Sequence, residues 1–296
     1  MNNIRIGFIG AGKVGVTLGA YFKNKGFCIV GYISRSLQSS QAAAEITSTQ
    51  AFSDVRQFVE ECDMIFITTP DDQIIKVWKE LQQCNINNRI ICHTSGSLSS
   101  TIFDEIETYG AYGYSIHPMY AFSEISGKIT GLDSAYFTVE GNNERTDEVV
   151  GFIDKLGNKS LLIDSSKKTL YHLANVLVSN LVLALLSMGD DCMQMCGVSA
   201  ENAIQALMPL IFANIDNVAK KGCVCSLTGP IERNDIGTII KHLDVLPQQY
   251  SGIYAQLSMI LTNLAQQKHP QRDYTMLLKC LSDYFNNCYE VKEKLI

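Results

Sequence analysis

Two different spacings of apolar residues divide the chain. In the first half, short apolar runs of strand length alternate with segments in which apolar residues recur about every 3.6 positions, as on one face of a helix. The strand-like runs lie at residues 4–9, 27–33, 50–52, 64–67, 89–92, 112–116, 135–139 and 160–163. This alternation predicts an α/β domain over residues 1–164, built on a doubly wound, mainly parallel sheet.

The strand signals stop at residue 165, and long helical repeats replace them. These repeats cover residues 168–195, 200–220, 235–243, 248–267 and 274–294. Ser199 and Asn234 are suitable N-cap residues for two of the predicted helices. We therefore expect an all-helical second domain over residues 165–296.

A glycine-rich loop follows the first predicted strand and opens the first predicted helix. It has the spacing G-x-G-x-x-G, with Gly10, Gly12 and Gly15 as the glycines. Such glycines allow a tight turn, a close approach of pyrophosphate to the backbone, and close packing of helix on strand. We expect the whole loop to bind a dinucleotide, which makes cofactor-binding residues of Gly10, Ala11, Gly12, Lys13, Val14 and Gly15.

The end of the second predicted strand indicates which dinucleotide binds. An NAD site commonly has an acidic residue here, whereas this chain has Ser34, Arg35 and Ser36. An arginine between two hydroxyl groups suits the 2′-phosphate of NADP(H), although a loop arginine in solvent is the alternative. We favour NADP(H) over NAD(H).

Further polar loops follow later strands, at the edge where ligands bind in open α/β sheets. The candidates for contact with a nucleotide are Thr68, Thr69, Pro70, Thr94 and Ser95. The loop that holds Ser95 and Ser97 is also explained by a simple polar turn.

Composition narrows the function classes. The formal net charge of −6 argues against a surface that binds nucleic acid. The longest apolar stretch, residues 170–188, contains His172, Asn175 and Asn180, which are costly in lipid, so we expect a buried core helix rather than a membrane span. We place the protein in the cytoplasm. Its ten cysteines lack the spacing of a zinc site, and we expect reduced thiols and no metal.

Several motifs together resemble a known group of proteins. They are the glycine loop, His93-Thr94-Ser95-Gly96-Ser97, Ser115-Ile116-His117-Pro118-Met119, the polar positions from His172 to Asn180, and residues 227–235. The whole chain resembles the 6-phosphogluconate-dehydrogenase-like superfamily, and within it the proteins that join a Rossmann-like domain to a domain of unknown function, DUF2520. The resemblance implies hydride transfer in a cleft between the two domains.

Within that resemblance, two histidines are candidates to transfer a proton. His117 is similar in context to a histidine of prephenate dehydrogenases that contacts the reacting hydroxyl. His172, Asn175 and Ser179 are spaced at i, i+3 and i+7, so they share one face of the predicted helix. In the superfamily, the corresponding helix lines the substrate cleft. Several members carry a lysine on that face. This chain has none there, since Lys168 lies one turn earlier, and histidine is a suitable replacement because its pKa is near neutrality.

Other polar residues complete the candidate catalytic set. Asn180 lies towards the edge of the same helical face, as does Tyr171. Arg233 lies at a turn and is suited to clamp a substrate carboxylate. The alternatives are a loop histidine bonded to backbone, a hydrogen-bond cluster between helices and a solvated arginine.

The sequence therefore predicts an NADP(H)-dependent oxidoreductase acting on a small polar metabolite, such as a 2-oxo or hydroxy acid or a cyclic imine. A redox sensor that binds NADP(H) without catalysis is the alternative from a different class, because fold alone does not fix function. A prephenate-type dehydrogenase is a third interpretation. Apolar residues on more than one face of residues 170–188 also suggest a homodimer.

Overall fold

A computed structural model describes residues 4–123, 131–141 and 143–293 of the chain. The chain divides into two compact units between Val178 and Ser179. The boundary predicted from the sequence lies earlier, at residue 164, and the intervening helix belongs to the first compact unit. Each unit is described by itself below.

The first unit is built on one eight-stranded sheet. Its strands are β1 (Arg5–Ile9), β2 (Cys28–Ile33), β3 (Gln50–Phe52), β4 (Met64–Ile67), β5 (Ile90–His93), β6 (Tyr112–Pro118), β7 (Tyr136–Gly141) and β8 (Lys159–Leu162). Their order is β3-β2-β1-β4-β5-β6-β7-β8. The pair β6 and β7 is antiparallel and every other neighbouring pair is parallel. The predicted doubly wound, mainly parallel sheet is confirmed.

Six α-helices accompany this sheet in the described part of the first unit. They are α1 (Lys13–Asn24), α2 (Leu37–Thr47), α3 (Val55–Glu61), α4 (Asp71–Leu81), α5 (Thr146–Leu156) and α6 (Lys168–Val178). The sequence pattern did not predict α3, which has seven residues and begins at an N-cap, Asp54, whose carboxylate accepts from two backbone amides. Such a short helix gives little periodic signal.

Two separate apolar cores form on the two faces of the sheet. One holds the stacked rings of Phe8 and Phe66 with Phe152 of α5. The other packs Trp78 of α4 against Phe103. Because both faces are covered, the parallel strands carry nearly continuous apolar runs, which is the pattern that predicted them.

Up to residue 293, where the description of the chain ends, the second unit contains six helices. They are α7 (Asn180–Met195), α8 (Ala200–Ser226), α9 (Pro230–Arg233), α10 (Ile236–Val245), α11 (Gln248–Lys268) and α12 (Thr275–Glu293). Its core is a cluster that includes Ile239, Leu243, Leu277 and Leu281. Near the end of α8 the backbone leaves helical geometry at Gly222, which has a positive φ of 74°. The expectation of a helical second half is confirmed.

The apolar stretch at residues 170–188 differs from its prediction in two ways. The single helix expected over residues 168–195 is two helices, α6 and α7, which are separated at Ser179. The stretch is also not buried: Leu183, for example, is 64% exposed. The prediction of a buried core helix is wrong because apolar periodicity shows that a face needs cover but not that the same chain supplies it. Among the described residues, Ser165–Met195 is the one segment that could cross a membrane by length and composition.

Candidate functional site

The glycine loop makes the turn from β1 into α1. Gly10 has a positive φ of 115°, and a Cβ there would lie 2.9 Å from the backbone of Thr68. At Gly15 a Cβ would lie 2.4 Å from the Gly10 carbonyl oxygen, so only glycine allows α1 to approach the loop this closely. At Gly12, the residue before α1, an added Cβ would meet nothing within 4 Å. The backbone at Gly12 is therefore open to a ligand.

A cavity of about 700 Å³ lies beside this loop. Its walls include Gly10–Gly12, Ser34–Ser36, Thr68–Pro70, Gln73 and Lys76. Gly10 follows β1 and Thr68 follows β4, which is parallel to β1, so the cavity lies at the carboxyl edge of the sheet. Thr69 Oγ1 is shielded from solvent and has no hydrogen-bond partner among the described residues. The open backbone, the cations and this hydroxyl fit a dinucleotide.

Arg35 is exposed and lines the same cavity. The neighbouring Ser36 is the N-cap of α2, where its hydroxyl accepts a hydrogen bond from the Ser39 amide. Ser34 donates to the Ser36 carbonyl at 2.8 Å and lies 3.0 Å from the Ser40 hydroxyl. The Arg35 guanidinium has no hydrogen bond to the described residues, and Arg35 directly precedes the N-cap of α2. A cation next to the positive end of a helix dipole suits a phosphate group.

Other residues of the predicted cofactor loops make hydrogen bonds or packing contacts within the protein. Lys13 donates to the Ser123 carbonyl at 2.6 Å, and Val14 is half-buried against the first apolar core. Ser95 donates to Asp71 at 2.7 Å and Ser97 donates to the same oxygen at 2.8 Å. Thr94 lies between β5 and this serine pair. The Ser95 loop thus holds the Asp71 carboxylate at the start of α4.

A second polar cluster lies on one face of β6 and β7. Ser115 and His117 are two positions apart in β6 and therefore share a face. Across the antiparallel pair, Ser115 faces Glu140 and His117 faces Thr138. The helix α6 adds Lys168, Tyr171 and His172, which are spaced at i, i+3 and i+4 and also share a face.

Within this cluster, the Lys168 ammonium donates to the Ser115 hydroxyl at 2.6 Å. Lys168 is only 2% exposed, and burial lowers the pKa of its ammonium to about 8, although Glu140 and Asp71 raise it. Glu140 is also buried and accepts hydrogen bonds from Ser99 and Ser100. Glu140 and Asp71 thus act on the ammonium electrostatically, while serine residues hold both carboxylates by hydrogen bonds.

In the same cluster, the Tyr171 hydroxyl lies 2.6 Å from His117 Nδ1 and 3.0 Å from Thr138 Oγ1. Burial, together with the charges of Lys168 and His172, lowers the pKa of His117 to about 4. His117 is therefore neutral at physiological pH. Its Nδ1 is bonded to Tyr171, which leaves Nε2 for other partners.

The two histidines converge beside Gly96. A Cβ added to Gly96 would lie 3.0 Å from His117 Nε2 and 3.0 Å from His172 Nδ1. His172 Nδ1 is buried and has no hydrogen-bond partner among the described residues, although such groups are normally paired. We call this place, formed by Gly96, His117 and His172, the two-histidine site. The two nitrogens thus converge on the same side of Gly96.

The remaining predicted catalytic residues are distributed over the two compact units. Asn175 lies on α6, where its amide donates to the Tyr171 carbonyl at 2.8 Å. Ser179, Asn180 and Arg233 belong to the second compact unit, so their place beside the two-histidine site stays a prediction. Arg233 is exposed at the end of α9, and around it Asp235 caps α10.

Sequence reasoning missed several members of the cluster. Lys168 was set aside because it lies a turn before His172, yet i and i+4 positions share a helical face, so its spacing was a usable signal. Glu140, Thr138 and Gly96 gave no local signal. Their roles depend on pairing between strands that are distant in the sequence.

Comparisons with known proteins agree with this architecture. A family model described as a Rossmann-like domain matches residues 1–118, and one described as a domain of unknown function, DUF2520, matches residues 135–260. No curated protein sequence matches the chain at a significant level.

Several solved structures are similar to the chain. A Thermotoga maritima protein is 25% identical, with 89% of this chain and 99% of that chain covered and a TM-score of 0.68. A Bacteroides fragilis protein, provisionally assigned as an NADP oxidoreductase, is 20% identical, with 91% and 99% covered and a TM-score of 0.64. A pyrroline carboxylate reductase of Plasmodium falciparum with NADP bound is 15% identical, with 96% and 99% covered and a TM-score of 0.61.

At identities this low, the likeness to the last two proteins is a likeness of fold. The two family models, in contrast, cover most of the chain and agree with the motifs from which the resemblance was first inferred. The chain therefore joins a Rossmann-like domain at residues 1–118 to a DUF2520 domain at residues 135–260.

Proposed function

We propose that this protein is a cytoplasmic, NADP(H)-dependent oxidoreductase acting on a small polar metabolite, such as a 2-oxo or hydroxy acid or a cyclic imine. The observation that carries the proposal is the convergence of His117 Nε2 and His172 Nδ1 beside Gly96. This place lies at the carboxyl ends of β5 and β6, the same sheet edge that holds the glycine-loop cavity.

The cavity residues hold the cofactor in this proposal. The open backbone at Gly12 and the start of α1 receive the pyrophosphate. Arg35 and the N-terminus of α2 receive a 2′-phosphate, which is why we favour NADP(H). When bound, the nicotinamide supplies or accepts the hydride.

In this proposal, the two-histidine site donates a proton or a hydrogen bond to the reacting group. A carbonyl or imine gains a hydride at carbon and needs a proton, or a hydrogen bond, at oxygen or nitrogen. His117 and His172 are placed to contact that atom, and the nearby Lys168 ammonium favours negative charge that develops on it. In the second unit, we propose that Arg233 binds an anionic group of the substrate and that Ser179 and Asn180 contribute polar contacts.

The first test is a fluorescence titration with NADPH and with NADH. We expect the protein to bind NADPH more tightly, and Arg35→Glu to weaken NADPH binding on the order of 100-fold while NADH binding changes little. Lys279→Glu, an identical charge change on α12, is the matched control and should bind as the unchanged protein does. Preference for NADH, or no binding of either, contradicts the cofactor assignment.

The second arm uses a panel of keto acids and cyclic imines with NADPH oxidation as the readout. Gly96→Ala places a methyl group 3.0 Å from both histidine nitrogens, so it should keep NADPH affinity but lose most turnover. NADPH binding without turnover of any panel member would favour the redox sensor instead. Equal turnover by Gly96→Ala would contradict the two-histidine site as the place of reaction.

We also propose that two copies of the chain form a homodimer through α7 and α8. Large apolar side chains are exposed on both helices, among them Leu181, Leu183, Leu210, Phe212 and Ile215. Exposed apolar patches of this kind mark interaction surfaces. A second copy offers the same patch, and self-complementary patches related by a two-fold axis are the commonest oligomeric contact.

A further inference from the structure

The hydroxyl group of Tyr171 contacts polar side chains of both β6 and β7. His117 Nδ1 lies 2.6 Å away, and Thr138 donates to the hydroxyl at 3.0 Å. The alternative acceptor for Thr138, the His117 carbonyl, is farther, at 3.4 Å. Burial raises the pKa of Tyr171, whereas hydrogen bonds from Thr138 and Asn175 lower it. Thr138 therefore donates to this oxygen, whereas the Asn175 amide donates to the Tyr171 backbone carbonyl at 2.8 Å.

The number of protons and lone pairs then fixes the direction of the remaining bond. A phenol oxygen has one proton to give and accepts at most about two hydrogen bonds. Thr138 already donates to this oxygen, and His117 Nδ1 is the one acceptor that the described hydrogen bonds offer to the phenol proton, so the Tyr171 proton is directed at His117 Nδ1. A nitrogen that accepts a hydrogen bond carries no proton, so a neutral imidazole held this way must carry its proton on Nε2.

We infer that Tyr171 is a positioning residue that holds His117 as the Nε2–H tautomer, so that the two-histidine site presents a neutral imidazole N–H to its ligand. The ligand atom must then be a hydrogen-bond acceptor, such as a carbonyl oxygen or an imine nitrogen. Only the identity of that atom rests on the proposed function. The tautomer itself follows from contacts within one compact unit.

The charged groups around His117 are consistent with a neutral ring. Burial lowers the pKa of His117 to about 4, and the charges of Lys168, His172 and His93 act in the same direction. Asp71 is the one described group that raises it. The imidazole therefore acts as a neutral donor across the physiological range, comparable in kind to enzymes that polarise a carbonyl with neutral histidine.

The test is a long-range ¹H–¹⁵N correlation spectrum of the full-length protein, without cofactor, at neutral pH. The chain has five histidines, and His117→Gln identifies the signals of His117. We expect Nε2 to be protonated and Nδ1 unprotonated. A proton on Nδ1, or a charged ring, would overturn the inference, and this result needs no variant of Tyr171 to fold.

Substitution of Tyr171 gives the second readout. Tyr171→Phe keeps the ring but removes the hydroxyl, so His117 should show a mixture of tautomers, whereas Tyr136→Phe on β7 should show the unchanged spectrum. With an identified substrate, Tyr171→Phe should lower kcat roughly 100-fold and leave KM for NADPH unchanged. An unchanged tautomer in Tyr171→Phe contradicts the role of Tyr171. An Nε2–H ring in a protein without turnover contradicts the proposed function alone.

Discussion

At the scale of one residue, Lys168 places a charged group in the buried polar cluster of β6, β7 and α6. An ammonium group has three N–H donors, and the described residues give Lys168 one hydrogen bond, to Ser115. Removing such a charge from water is costly, and the nearby carboxylates of Glu140 and Asp71 offset part of the cost. A lysine kept under these conditions is typical of a functional site rather than of a stabilising core.

The pKa of Lys168 leads to a prediction about stability. The pKa is lowered to about 8 in the folded protein from 10.5, so between these values the unfolded chain binds more protons. The free energy of unfolding should therefore rise, by roughly 2–3 kcal/mol, as pH increases from about 8 to 10.5. Lys168→Met should lack this increase.

Urea denaturation of both proteins at several pH values checks this prediction. Tyrosines and cysteines also titrate in this range, so the quantity to follow is the difference between the two proteins. That difference should shift in favour of the unchanged protein as pH rises. A difference that stays constant with pH would show that Lys168 titrates normally.

At the scale of elements, two glycines serve different purposes at the junction of β1 and α1. Gly15 allows close packing of the helix, whereas Gly12 leaves the backbone open to a ligand. A methyl group at Gly15 would lie 2.5 Å from Thr68 Oγ1 and 2.4 Å from the Gly10 carbonyl oxygen. We expect Gly15→Ala to lower the free energy of unfolding by about 2–3 kcal/mol, since α1 must move away from β4. Gly12→Ala meets nothing and should change stability by less than about 1 kcal/mol.

The pair is informative because cofactor binding should follow a different pattern. Gly12→Ala should weaken NADPH binding although the fold is intact, since its methyl group projects where the pyrophosphate approaches. Denaturation curves and NADPH titrations on both variants measure the two effects. Equal losses of stability in the two variants would mean that Gly12 is also needed for packing.

The helix α6 shows how far sequence reasoning reaches. Helical spacing predicted one face for His172, Asn175 and Ser179; α6 holds the first two, because that relation is local, but Ser179 lies beyond the end of the helix. The partners of that face, Ser115, His117 and Thr138, depend on pairing between β6 and β7, which spacing does not encode. The end of α6 at Val178 was also missed, since neither glycine nor proline marks it.

For the whole molecule, the fold class was predictable because it rests on many consistent signals. Eight strand-like runs were located within a few residues of β1 to β8, and the helical second half was evident from its period. The one large error concerned burial of the 170–188 stretch. A chain's own pattern shows which faces are apolar, whereas the identity of the covering surface depends on contacts that can lie in another copy.

That error leads to the last prediction, on the oligomeric state of the molecule. If α7 and α8 contact a second copy, the protein should have twice the mass of the 32.8-kDa chain in light scattering at micromolar concentration. Leu183 and Phe212 are 64% and 63% exposed in the single chain. Changing both to glutamate would bury two carboxylates in an apolar interface, so we expect dissociation constants on the order of 100-fold higher or more.

The matched control is Val245→Glu, which adds a carboxylate at a side chain that is 76% exposed on α10. It should leave the dimer intact, because α10 lies outside the proposed interface. A monomeric unchanged protein, or a dimer that survives both substitutions on α7 and α8, would contradict this interface. Binding of the unchanged monomer to lipid vesicles would instead assign the apolar faces to a membrane surface. A dimer that dissociates only with the α7 and α8 substitutions would explain why these apolar residues are exposed in a single chain.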